Sequence, residues 1–182
     1  GVGPDRKDTW IFDGLSSTWK EVPVKQGPSA RIYHAAVLDR EGDRIIIFGG
    51  NTGPDSGFLN DTWAFDLKKL HWTRVEGKAK PSARTWFASV LDPVRGRLLV
   101  VGGWSGGGNY LEDAWAFDFK TNRWSEIKSQ QTPPPLTGHT MTYDQRGDRF
   151  IVVGGGPERN TPTGETWVLD GKTDQWSQVN SQ

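Results

Sequence analysis

Short apolar runs closed by glycines recur along this chain. RIIIFGG (44–50), RLLVVGG (97–103) and RFIVVGG (149–155) are nearly continuous apolar stretches, a pattern that predicts strands buried on both faces. Between them lie segments that alternate polar and apolar: WIFD (10–13), DTWAFDL (61–67), WVLD (167–170) and HWTRVEG (71–77). Alternation of period two predicts half-buried strands. YHAAVLD (33–39) supplies a fourth strand to its unit. No stretch sustains a helical period, and Gly or Pro interrupts each candidate window. The expected fold is all-β.

The pattern repeats. Trp10, Trp63, Trp115 and Trp167 are spaced by 53, 52 and 52 residues, and so are Trp19, Trp72, Trp124 and Trp176. Asp13, Asp66, Asp118 and Asp170 follow the first series by three residues. The pairs Gly49–Gly50, Gly102–Gly103 and Gly154–Gly155 keep the same step. PSAR stands at 28–31 and 81–84 and degenerates to PPLT at 134–137. Asp39/Arg44, Asp92/Arg97 and Asp144/Arg149 bracket three predicted turns, where an Asp side chain can hold backbone N–H groups or pair with its Arg. A period near 50 residues points to propeller blades rather than to shorter helical repeats.

The order of these markers resembles the kelch repeat, here as IIIFGG–DTWAFD–HW, LLVVGG–DAWAFD–RW and FIVVGGG–ETWVLD–QW. The wording PSAR…H…D…DR…FGG…NDTW is similar to galactose-oxidase-type kelch repeats, and the match covers almost the whole chain. The resemblance implies kelch-type β-propeller blades of four antiparallel strands, with strand a lining a channel and strand d outermost. Carried over, strand a is Tyr33–Leu38, strand b Arg44–Phe48, strand c Thr62–Phe65 and strand d Trp72–Val75. About three and a half blades follow, a partial propeller: strands c and d at 1–27, then blades at 28–80, 81–132 and 133–182. Both ends offer c–d and neither offers the missing a–b pair. The expectation is that a longer chain, or self-association, supplies the absent blades.

Composition removes several functions. There are 22 basic and 22 acidic side chains, so the chain lacks the basic excess that holds nucleic acid. No apolar run is long enough for a membrane-spanning helix. With 23 glycines, disorder is a possibility, but ten tryptophans argue against it. The chain has no cysteine, which excludes the cysteine-linked tyrosine and copper of galactose-oxidase-type kelch enzymes. The Glu-x-x-x-Asp-x-x-x-His iron motif of plant specifier-type kelch proteins is not found. His34 and His139 stand where the middle unit has Phe87, so both are expected to fill space, and His71 to lie at the surface. Gly171-Lys172-Thr173 imitates the end of a phosphate loop, but its repeat equivalents mark a c–d turn. Asn60-Asp61-Thr62 forms a glycosylation sequon that coincides with the repeated Asp-Thr-Trp. No catalytic constellation, metal site or cofactor is expected.

What does not repeat is the content of the loops. NTGPDSGFLN (51–60), WSGGGNYLE (104–112) and PERNTPTGE (157–165) separate strands b and c, and they differ from one another. By resemblance to kelch domains, they share a rim with the d–a connections at 22–31, 76–84 and 129–138 and bind a peptide or protein. The candidate binding residues are Arg31, Tyr33, Arg84, Trp86, Trp104, Tyr110 and Arg159. Arginine beside aromatics suits an acidic partner, and also a glycan as the alternative. Arg31 and Arg84 belong to a repeated motif, so anchoring a turn is their other possible role.

Overall fold

The computed structural model describes residues 7–53, 56–158 and 161–179. Among them are sixteen strands and no helix. β1 (Thr9–Asp13) and β2 (Thr18–Val22) form a two-stranded sheet. Three four-stranded antiparallel blades follow. The first contains β3 (Ala35–Asp39), β4 (Arg44–Phe48), β7 (Thr62–Asp66) and β8 (His71–Val75). The second is β9 (Ala88–Asp92), β10 (Arg97–Trp104), β11 (Tyr110–Asp118) and β12 (Arg123–Glu126), and the third β13 (Thr140–Asp144), β14 (Arg149–Val153), β15 (Thr166–Asp170) and β16 (Trp176–Val179). β9 lies against β3 on one side and β13 on the other, so the leading strands of the blades are neighbours. Among the described residues the blades do not close a ring.

Two loops hold more structure than their sequences suggest. β5 (Asn51–Gly53) and β6 (Ser56–Phe58) pair as a small hairpin inside 51–60. Segment 104–112, expected as a loop, is the tip of a long hairpin in which Trp104 pairs with Tyr110. A register shift between Val101 and Gly103 lets β10 bend and run on past the glycine pair. In the other direction, the leading strand starts at Ala35 rather than Tyr33, because Tyr33 adopts a φ of 56° and leaves the extended region.

The repeated residues perform matched tasks. Asp39, Asp92 and Asp144 fill both roles foreseen for them. One carboxylate oxygen accepts turn N–H groups, such as Gly42 N at 3.0 Å, and the other accepts the Arg five residues on at 2.7–2.8 Å. Asp66, Asp118 and Asp170 hold the c–d turns in the same way. Gly103 has a φ of 103°, and a Cβ there would lie 2.7 Å from Thr85 O, so that position requires glycine. The Gly50 N–H donates to Arg84 O, and the Gly103 N–H donates to Leu136 O, stitching each blade to the next. That equivalence shifts the degenerate motif by one residue: Leu136, not Thr137, stands at the place of Arg31 and Arg84.

The d-strand tryptophans also reach between blades. Trp72 Nε1 donates to Thr9 Oγ1 and Trp124 Nε1 to Thr62 Oγ1, each in the preceding sheet. Trp176 continues this series, but Ala114 stands where Thr9 and Thr62 stood, and its Nε1 is buried without a partner. Ala114→Thr is therefore expected to stabilise the fold by about 1 kcal/mol, the net worth of one hydrogen bond. A rise in the urea midpoint measures it, and an unchanged or lower midpoint would show that Trp176 cannot use the hydroxyl.

Equivalent positions differ in burial at the two ends of the array. Phe65, Phe117 and Leu169 are at most 2% exposed, whereas Phe12 is 50% exposed. At the far end Val153 is 47% exposed, against 2% for Val101 and 0% for Phe48. A face of each terminal sheet that is covered in the interior blades is thus bare.

Candidate functional site

On the rim that carries 51–60 and 104–112, four aromatic rings form a row. Tyr33 meets Trp86 edge-on at 6.2 Å, Trp86 stacks on Trp104 at 5.3 Å and 20°, and Trp104 meets Phe58 edge-on at 5.1 Å. The row crosses from the first blade to the second. Local backbone chemistry sets it up: Tyr33 and Trp86 both sit in the left-handed region, at φ 56° and 55°, just before their strands begin. The third blade has Gly138 at the corresponding place, with φ 68°. Bulky residues rarely take this conformation, at a cost of about 1 kcal/mol or more. Trp104 and Tyr110 are cross-strand partners, so their side chains emerge from one face of the hairpin tip.

Phe58, absent from the sequence-derived set, joins the row. The signal that could have found it is its place in a non-repeating loop with an aromatic side chain. Gly106 permits the contact, because a Cβ there would lie 2.7 Å from the Phe58 ring.

The arginines behave differently from the aromatics. All five donors of Arg84 are taken: Nε by Ser82 O, and the two terminal nitrogens by Gly102 O, Ser82 Oγ and both oxygens of Asp113 at 2.6 and 2.7 Å. Its side chain is 0% exposed. Arg31 makes the same set with Ser29, Gly49 O and Asp61. Both therefore fasten the chain where it enters a blade, and neither presents a donor to a partner. Each acid also accepts an indole N–H, Trp63 on Asp61 and Trp115 on Asp113, both at 2.7 Å. With Asp8 accepting from Trp10 and Glu165 from Trp167, this makes a further periodic series, two residues before the first tryptophan rail. Burial pushes Asp61 and Asp113 upward, but the guanidinium and indole donors outweigh it and hold both carboxyls below the usual range.

The histidines follow the space-filling expectation unevenly. His139 is buried, and neither ring nitrogen makes a hydrogen bond of good geometry. Burial lowers its pKa to about 4, the Val101 backbone opposing this only in part. His34 is exposed, and its pKa is lowered by partial desolvation and by the charge of Arg31. His71 is exposed at the start of β8. Arg159 lies outside the described residues. Among the described residues no group of three or more His, Asp or Glu side chains is placed to hold a metal ion, and no helix is long and apolar enough to cross a membrane.

Beside Trp86 the rim opens into a cavity of about 450 Å³ between the second and third blades. Its walls include Trp86, Thr137, Gly138, the Gly155–Gly156 turn and Glu158. The Thr137 hydroxyl is buried with no partner.

Four-stranded antiparallel blades, stitched by glycine pairs and carrying their irregular loops on one rim, define a β-propeller of the kelch class. The whole of 1–182 matches the KLHDC2/KLHL20/DRC7 Kelch-repeats domain, and the chain belongs to that kelch-repeat family. It is similar to Adagio-like protein 1 of Oryza sativa subsp. japonica, 32% identical over 162 residues, which is 85% of this chain and 25% of that protein. Adagio protein 3 of Arabidopsis thaliana is 30% identical over 90% of this chain and 27% of its own length. A putative F-box/kelch-repeat protein of Arabidopsis thaliana is 27% identical over 94% of this chain and 47% of its own length. The chain thus spans from about a quarter to about half of these relatives.

Proposed function

We propose that this chain is a protein-interaction module whose contact surface is the aromatic row on the b–c and d–a rim. One observation carries the reading: a scaffold repeated in register supports a rim on which Tyr33, Trp86, Trp104 and Phe58 lie side by side. Rigid aromatics give large contact area at small cost in rotamer entropy, which suits a binding surface. Membership of the kelch-repeat family and similarity to F-box/kelch proteins support a scaffold that engages proteins. Because Arg31 and Arg84 are committed internally, they lend no support to an acidic partner. A glycan remains the less favoured reading, since its only support is the same row of rings.

The bare faces of the terminal sheets, with relatives several times longer, support a second element of the proposal. Further blades of a longer propeller cover Phe12 at one end and Val153 at the other.

Trp104→Ala, combined with Tyr110→Ala, is expected to reduce recovery of the bound partner at least about tenfold, as loss of an aromatic anchor does. Capture from the source extract by the intact protein, with thermal melts matched between variants, is the measurement. Undiminished recovery would remove this rim from consideration.

A further inference from the structure

On the rim opposite the aromatic row, where the a–b and c–d turns lie, the two junctions between complete blades are closed differently. Between the second and third blades, Arg95 meets Asp148 at 2.6 Å, and both terminal nitrogens of Arg97 donate to the Asp174 carboxylate at 2.6 and 2.8 Å. The blade period puts Gly42 and Gly96 where the first of these pairs stands, and Arg44 and Asn122 where the second stands. Between the first and second blades there is instead a cavity of about 700 Å³, and both glycines line it. Arg44 donates from Nε to Asp39 and from one terminal nitrogen to Phe119 O at 2.6 Å. Its other terminal nitrogen, Nη1, makes no hydrogen bond among the described residues. Asn122 Oδ1 is buried and likewise unpaired. The carboxylate that Arg97 holds therefore has no counterpart at Arg44.

We propose that this cavity binds a small carboxylate with an apolar tail, the carboxylate on Arg44 and the tail along Leu38, Leu91 and Phe119. All four of these residues line it, in turns at 38–44, 91–96 and 118–120 that are continuous in the described residues. A planar guanidinium matches a carboxylate, and Arg97 makes that pairing in the equivalent frame one blade on. Arg40 and Lys120 also line the cavity, both exposed and neither in an ion pair among the described residues. Of the acids in the wall, Asp39 is held by Arg44 and the Gly42 N–H, and Asp118 by Thr121. Glu41 is exposed and opposes an anion, but Arg40 and Lys120 outnumber it. The volume falls in the range of small-molecule sites, and the mixed wall of apolar side chains and a few polar groups is of their kind. The inference goes beyond the interaction reading and does not depend on the aromatic row.

The test uses the whole chain labelled with nitrogen-15, with hexanoate titrated in and the backbone amides of Gly42 and Gly96 followed. Hexanamide, hexylammonium and acetate are the comparisons. Hexanoate should shift both amides saturably and acetate more weakly, whereas hexanamide and hexylammonium should not shift them. Asn122→Asp gives Arg44 the carboxylate that Arg97 already has. It should weaken the hexanoate response at least about tenfold, the size of one charge-assisted hydrogen bond. The melt should be retained, because Asn122 and Asp174 share the same backbone conformation at φ 56° and 55°. Gly96→Asp is the second variant, expected to weaken the response in the same way by placing an acid in the cavity wall. Its φ of 62° is close to the 49° and 46° that Asp43 and Asp148 hold at the equivalent places. An absent hexanoate response, an equal response to hexanamide or to acetate, or full binding by either folded variant would each overturn the proposal.

Discussion

Asp113→Ala should destabilise the protein by about 3–5 kcal/mol, because it leaves the buried Arg84 guanidinium without its counter-charge. Arg84 is 0% exposed and directs two of its five donors at the Asp113 carboxylate. Removing the acid leaves a buried positive charge with only neutral oxygens around it. A domain of this size has about 5–15 kcal/mol of stability in all, so the variant should sit near the limit of folding. Arg84→Leu should cost less. The third blade carries Leu136 at the same place, buried and packed, which shows that the frame accepts an apolar side chain there. In that variant Asp113 remains partly exposed and keeps the Trp115 indole N–H. The double variant should recover part of the Asp113→Ala loss, since it removes the stranded charge. Urea unfolding of the three variants closes the cycle. A cost for Asp113→Ala below about 1 kcal/mol would mean that the pair is not the clasp its geometry indicates.

This pair and its equivalent, Arg31 with Asp61, set an acid limit. Asp113 and Asp61 have folded pKa values below their ordinary 3.8, so their contribution is complete above that value. It is lost as pH falls through the depressed folded value. Acid unfolding from this source belongs below pH 3.8.

His139→Phe should abolish a loss of stability that begins at much milder pH. The folded pKa of His139 is about 4, against an ordinary value of 6.5. As pH falls below 6.5 the unfolded chain takes up the proton first, and the folded chain follows only near 4. Stability is therefore greatest above pH 6.5, declines between 6.5 and 4, and then levels off for this group. A gap of that size amounts to about 3 kcal/mol. Phe87 fills the equivalent place in the second blade, packing 5.8 Å from Phe48, so the frame has a precedent for the substitution. It also removes two buried nitrogens that make no hydrogen bond of good geometry, which should raise stability at neutral pH as well. Urea midpoints from pH 7 to 4.5 are the measurement. An unchanged slope in His139→Phe would assign the pH dependence to other groups.

The periodic part of this fold was readable because packing residues in a repeat must recur. The two tryptophan rails, the glycine pairs and the turn aspartates each occupy one geometric place per blade, and each kept its step in the sequence. The alignment slipped only at 133–137, where three consecutive prolines gave no unique register and the hydrogen bonds of Leu136 resolved it. The site was less accessible to the same reasoning. Arginine has the same letter whether its donors face a partner or five internal acceptors, and only the partner series at Asp61 and Asp113 separates the two. That series keeps the blade period, yet its meaning depends on contacts 29 or 30 residues away in sequence. Glu158 and Phe58 stand in loops that share no pattern, so nothing in the repeat marks them.

The account stands on the rim bearing Trp86, Trp104 and Phe58 as the surface that meets the partner. Hydroxyl-radical footprinting of the chain with its captured partner tests this most directly, because it reads every exposed side chain at once. The predicted result is protection at Tyr33, Phe58, Trp86, Trp104 and Tyr110, with Leu15 and Val94 in turns away from the rim remaining as reactive as in the free chain. Protection confined to those turns, with the aromatic row still reactive, would contradict it.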